Sequence, residues 1–133
     1  MRDRTVVIPD ELVDLVTTDV LAHVSSVGER GWLFNHVMWI DWDGEHVRVN
    51  SPVGSLKGRN WRADPHAGIS VVDPANRFRS IQASGRVTAI EPDTDLDQID
   101  RMSRRYNGAD YPRRGGQRET FLITLDRVRG ALG

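Results

Sequence analysis

Asp43-Gly44 stands between two runs in which apolar and polar residues alternate, and this pair does most to limit how the chain can fold. An Asp-Gly pair in that setting signals a two-residue hairpin, because both central positions of the favoured turn need positive φ. Trp32 to Trp42 therefore reads as one long strand and Glu45 to Asn50 as its antiparallel partner. In the second run His46, Arg48 and Asn50 alternate with Val47 and Val49, so one face is wet or ligand-lined.

The same period of two recurs along the chain. Val20 to Val27 reads as a strand ended by Gly28 and Gly31, and the mostly apolar Ala67 to Val72 as a central strand. Asp73 to Asn76 is a turn into a long strand, Arg77 to Ile90, whose mid-strand Gly85 marks a bulge or a barrel corner. Glu119 to Leu125 closes the set. Helical spacing appears at the margins. Pro9 to Val16 puts Leu12, Leu15 and Val16 on one face, and Asp93 to Tyr106 carries its acids first and its arginines last. Leu96, Ile99, Met102 and Tyr106 form the inward face of that second helix. Between it and the last strand, Asn107 to Gly116 reads as a glycine- and arginine-rich loop with no apolar anchor, open when no ligand is bound. The expectation is a mainly β, antiparallel, six-stranded barrel with short flanking helices, one domain over residues 1–133.

One segment breaks the pattern in a chemically suggestive way. After Asn50 the chain turns at Pro52 and Gly54, then enters a short helix that Ser55 can cap and Pro65 must end. Ser51, Ser55, Lys57, Arg59, Asn60 and Arg62 crowd this turn, and Lys57 is the only lysine in the chain. Hydroxyls, cations and a helix N-terminus together suit a phosphate. The alternative is a lysine on a solvated helix face, and local spacing does not separate the two.

Composition narrows the function classes. The formal net charge is −1, which argues against a general polyanion binder, so the arginines between Arg101 and Arg118 read as a solvated helix and loop. No apolar run approaches the roughly 18 residues of a membrane span. The apolar run that follows Met1-Arg2-Asp3-Arg4 is too short for a secretory leader, so the cytoplasm is expected. Cysteine is absent, and His23, His36, His46 and His66 lack the close pairing of a metal site. His36 and His46 can approach one another across the hairpin. No motif marks a nucleophile, a nucleotide loop or a general acid–base pair. A phosphate turn without a catalytic set fits chemistry supplied by a cofactor.

The order of these motifs resembles the pyridoxamine 5'-phosphate oxidase-like split β-barrel family, and within it the actinobacterial flavin/deazaflavin oxidoreductases that use F420. The resemblance rests on Leu21–Gly28, Val37–Gly44, Val49–Ser51 with Lys57–Pro65, Val71–Pro74, Gly85–Val87 and Arg105–Gly108, in that order over nearly the whole chain. It departs from the pattern at Glu29–Leu33, and at Ser55, where the family often has a basic residue.

The resemblance implies an FMN-binding-type split barrel that forms a homodimer, with each cofactor in a groove between subunits. Lys57, Asn60, Arg59 and Ser51 would hold the cofactor's phosphate, and Val37, Met38, Trp39 and Asn50 would line its ring or ribityl chain. The implied activity is an oxidoreductase passing a hydride from reduced F420 to an electron-poor small molecule, with no catalytic side chain and no metal. The alternatives are an FMN oxidoreductase of the same fold and a non-catalytic F420- or flavin-binding protein. Neither a nucleic acid nor a membrane is an expected partner.

Overall fold

The computed structural model describes residues 6–133; the leader reading made at Met1 to Arg4 falls outside them. Seven strands form one antiparallel sheet: β1 (Ala22–Val27), β2 (Leu33–Met38), β3 (Asp41–Trp42), β4 (His46–Pro52), β5 (His66–Asp73), β6 (Asn76–Pro92) and β7 (Arg118–Leu132). Their order is β2-β1-β5-β6-β7-β4-β3. The two outermost strands, β2 and β3, are joined by only Trp39 and Ile40, so the sheet must curl until its ends meet. Inside the curl lie Val24, Val47, Val49, Ile69, Val71, Ile81, Phe121 and Ile123, all buried. Among the described residues three α-helices flank the sheet, α1 (Asp14–Thr17), α2 (Leu56–Ala63) and α3 (Asp97–Asn107), with two single 3-10 turns at Asp10–Leu12 and Glu29–Gly31. None of the described helices is long and apolar enough to cross a membrane.

The strand count is seven and not six because Trp32 to Trp42 is not continuous. Ile40 leaves the ladder, and its backbone is satisfied by α3 instead. The Ile40 amide donates to the Tyr106 hydroxyl at 3.3 Å, and its carbonyl accepts from Arg105 at 3.4 Å. Arg105 also pairs with the buried Asp41 at 2.6 Å. With those groups satisfied elsewhere, the chain can leave β1 and cross to pair with β4.

Gly85 is the bulge its position suggested: the β6–β7 register shifts between Ser84 and Gly85. A Cβ there would sit 2.1 Å from the Thr124 carbonyl oxygen, so the two backbones approach as closely as only glycine permits. Strand β7 continues to Leu132, well past Leu125, because β6 offers it a ladder that its charged residues beyond Leu125 did not announce. Helix α3 starts at Asp97 rather than Asp93. Asp93 caps it from outside, accepting from the amides of Gln98 and Ile99, each at 3.0 Å, while Leu96 turns through a left-handed φ of 61°.

Candidate functional site

The turn from β4 into α2 builds a compact polar cluster. Ser55 caps the helix, its Oγ accepting from the Gly58 amide at 3.1 Å, and Ser51 Oγ lies 2.7 Å from Ser55 Oγ. Lys57 Nζ reaches back to Ser51 Oγ at 3.4 Å. Helix α2 is held in place by Trp61 against Phe121, by a double ion pair from Arg62 to Glu119, and by Asn60 Nδ2 donating to Ser26 Oγ at 3.0 Å. Lys57 itself has no carboxylate partner among the described residues. Burial, and next the nearby Arg118 guanidinium, hold its ammonium below the usual lysine range. His36 on β2 is pushed down by burial and by Lys57.

A second cluster lies on the outer face of β4 and β7, under α3. Asn50 is buried and fully engaged: its amide donates to Asp93 at 2.9 Å and Thr120 at 3.1 Å, and its carbonyl accepts from Arg118 Nε at 2.6 Å. The Arg118 guanidinium stacks over Tyr111, 4.8 Å from the ring centroid. Trp39 stacks on Tyr106 at 5.3 Å and meets Tyr111 edge-on at 6.3 Å. Met38, Trp39, Asn50, Ile99, Met102, Tyr111 and Arg118 line an open cavity of about 260 Å³. Arg118 also faces a neighbouring cavity of about 570 Å³ that includes Arg62, Arg114 and Glu119.

Tyr111 belongs to the loop expected to be unanchored, and the structure corrects that expectation. The buried Asp100 carboxylate accepts from the Tyr111 amide at 2.9 Å and from Arg114 at 2.7 Å. The loop is strapped down over the cavity, with an aromatic ring as its anchor.

The family model for pyridoxamine 5'-phosphate oxidase matches residues 8–131. The chain belongs to that family. Among solved structures of the same fold, an F420 reductase shares 26% sequence identity at a TM-score of 0.84, over 92% of this chain and 98% of that chain. A conserved hypothetical protein from Mycobacterium tuberculosis aligns with a TM-score of 0.68 and 19% identity, over 98% of this chain and 89% of that chain. General stress protein 26 from Bacillus anthracis aligns with a TM-score of 0.67 and 15% identity, over 92% of each chain. These last two share the fold. No curated protein sequence matches the chain.

On this pyridoxamine 5'-phosphate oxidase-type barrel the expected site residues separate into four places. Ser51 and Lys57 meet at the α2 turn. Met38, Trp39 and Asn50 line the aromatic cavity. Arg59 and Asn60 line a different groove of about 840 Å³, with Trp32, Phe34 and Leu56. Val37 is 61% exposed on the opposite face of β2 from Phe34, His36 and Met38. His36 and His46 do not face one another across the hairpin: His36 pairs in register with Val24, while His46 Nδ1 contacts Asp43 at 3.2 Å. Arg118 and Tyr111 were not singled out from the sequence. Arg118 sits in an arginine-rich stretch, and only the register that sets it opposite Pro52 brings it to Asn50.

Proposed function

We propose that this chain is an F420-dependent reductase, passing a hydride from the reduced deazaflavin to an electron-poor double bond of a small organic molecule. The observation that carries the reading is the α2 turn, where Lys57, with no carboxylate partner among the described residues, meets Ser51 and Ser55 at a helix N-terminus, on the same barrel as a hollow lined by Trp39, Tyr111 and Arg118. A phosphate joined to a planar ring fits that donor set. The likeness to an F420 reductase over nearly its whole length supports the choice of a flavin-type cofactor, and of F420 among those.

In this reading Lys57 and Ser51 hold the phosphate, while Arg59 and Asn60 line the separate groove beyond α2. Met38, Trp39 and Asn50 wall the ring and ribityl chain, and Val37, on the opposite face of β2, has no part in that wall. Bound F420 would supply the two-electron chemistry, and the protein's part is to position the ring and exclude water. Trp39, Tyr106 and Tyr111 make a dry wall for that purpose. The protein would act in the cytoplasm as a homodimer, and the exposed Leu33 and Val37 on one face of edge strand β2 supply apolar surface for a second copy.

The test is titration of the purified protein with F420 and with FMN, followed by F420H2 oxidation in the presence of an activated enone. Binding of F420 with acceptor-dependent oxidation is expected. Binding of FMN alone would make it a flavin enzyme of the same fold, and F420 binding without turnover across acceptors a carrier. Light scattering should give about twice 15.0 kDa, and a stable monomer would remove the shared groove.

A further inference from the structure

We propose that Arg118 anchors the hydride acceptor, and that the acceptor is a small molecule carrying a carboxylate on an apolar body. The inference rests on the proposed function, which seats the cofactor ring in the cavity walled by Trp39 and Tyr111. It adds the neighbouring cavity as the acceptor's subsite, with Arg118 lining both.

The cavity of about 570 Å³ has apolar walls at Val53, Ile90, Pro92 and Leu96, and three arginines, Arg62, Arg114 and Arg118. Two of the three are already neutralised. Arg62 pairs with Glu119 through both terminal nitrogens, and Arg114 pairs with the buried Asp100. Half-buried Arg118 donates through Nε to Asn50 Oδ1 at 2.6 Å and lies over the Tyr111 ring. It makes no ion pair and no other side-chain hydrogen bond among the described residues. The Nε bond and the ring fix the plane of the guanidinium, while both terminal nitrogens keep their donors. A fork held in one plane matches the two oxygens of a carboxylate.

The acids of the same cavity are engaged elsewhere. Glu119 is taken by Arg62, and Asp93 accepts from the Gln98 and Ile99 amides and from Asn50 Nδ2. Asn50 is therefore an uncharged spacer, its amide turned to Asp93 and its carbonyl to Arg118. The frame that aims the guanidinium is itself braced. Asn50 also donates to Thr120, and the Tyr111 amide is held by Asp100. Position then decides the role. Arg118 closes one end of the cavity that holds Met38 and Trp39, and also faces the larger one. A molecule with its carboxylate on Arg118 can lay its apolar body along Val53, Ile90, Pro92 and Leu96 while meeting the ring's cavity at the shared residue. Hydride transfer needs that adjacency of donor and acceptor.

The probes are trans-3-benzoylacrylate and its primary amide, which share a ring, a ketone and an electron-poor double bond and differ in charge. Wild type, Arg118→Gln, Arg118→Lys and Arg114→Gln are titrated calorimetrically, empty and loaded with oxidised F420, alongside thermal melts. Wild type should bind the acid about tenfold more tightly than the amide, in both forms and without displacing F420. Arg118→Gln should erase that preference. Arg114→Gln, which removes a cation already paired, should keep it within about twofold. Arg118→Lys should fall between. Equal weakening of acid and amide by Arg118→Gln would mean that Arg118 only braces Asn50 and Tyr111. Loss of the preference in Arg114→Gln as well would assign it to the general field of the basic loop. Either result overturns the inference, as does displacement of F420 by the acid, which would put the carboxylate in the ring's cavity. A wild type that binds F420 but takes both probes alike removes the subsite and leaves the proposed function intact. A wild type that binds no F420 removes the proposed function, and the acceptor role of Arg118 with it.

Discussion

Replacing Lys57 with methionine should make the empty protein slightly more stable and the cofactor complex much weaker. Methionine keeps the apolar stem and the helix propensity of lysine while deleting the charge. Burial first, and Arg118 second, lower the Lys57 pKa, so the folded chain disfavours the ammonium relative to the unfolded chain. For a lysine shifted in this direction the cost is fully present at pH values below the folded pKa. It is relieved as pH rises through that value toward the unfolded one. At neutral pH the methionine variant escapes the cost. Water reaches the half-buried group, so the gain is below about 1 kcal/mol, a rise in Tm of at most a few degrees. The lost charge-assisted bond to phosphate is worth roughly 1.5–3 kcal/mol, so the Kd should rise about tenfold to a hundredfold. Differential scanning fluorimetry of the empty protein and calorimetric titration with F420 and FMN read the two effects. A variant with a lower Tm and wild-type affinity would show Lys57 to be an ordinary surface lysine, and the reasoning from unpaired charge would fail.

Gly85→Ala should destabilise the fold by about 3 kcal/mol, since its Cβ would meet backbone atoms of Thr124 that cannot yield; urea denaturation measures this, and a loss under about 1 kcal/mol would refute the tight crossing. Asp93→Ala removes the α3 cap and leaves the Asn50 amide short of a partner, costing about 2–4 kcal/mol; an unchanged midpoint in urea would mean that α3 does not depend on it. Asp43 should shape the acid limb. Burial acts to raise its pKa, but hydrogen bonds from the His46 amide, Arg48 and the Glu45 amide outweigh it and hold the carboxyl at about 2. Its stabilisation is therefore present above the ordinary aspartate range and lost as pH falls through about 2, so Asp43→Asn should flatten that limb of the stability–pH curve. Asp100→Asn should speed hydrogen exchange at the Tyr111 amide; unaltered exchange would mean that the strap is held by Trp39 packing alone.

Much of the architecture could be read locally, because element type and face follow from short-range spacing. Period two, the Asp43-Gly44 turn and the bulge glycine at Gly85 marked the strands, and Ser55 and Pro65 bounded α2. The expected residues that the structure gathers, Ser51 with Lys57 and Met38 with Trp39 and Asn50, lie in the same or neighbouring elements. What tertiary structure decided depends on which distant groups meet. Trp32 to Trp42 splits because Tyr106 and Arg105, over sixty residues away, satisfy the Ile40 backbone. The loop holding Tyr111 is strapped because Asp100 points beneath it, and Arg59 and Asn60 turn away from Lys57 because α2 docks through Trp61 and Arg62. In the sequence Arg118 is one arginine among many. Its charge goes unneutralised because β4–β7 register places it against an amide and an aromatic ring, while Arg62 and Arg114 each find a carboxylate. Local spacing determines which residues can carry charge inward, and only the packing of remote strands determines which of those charges is left for a ligand.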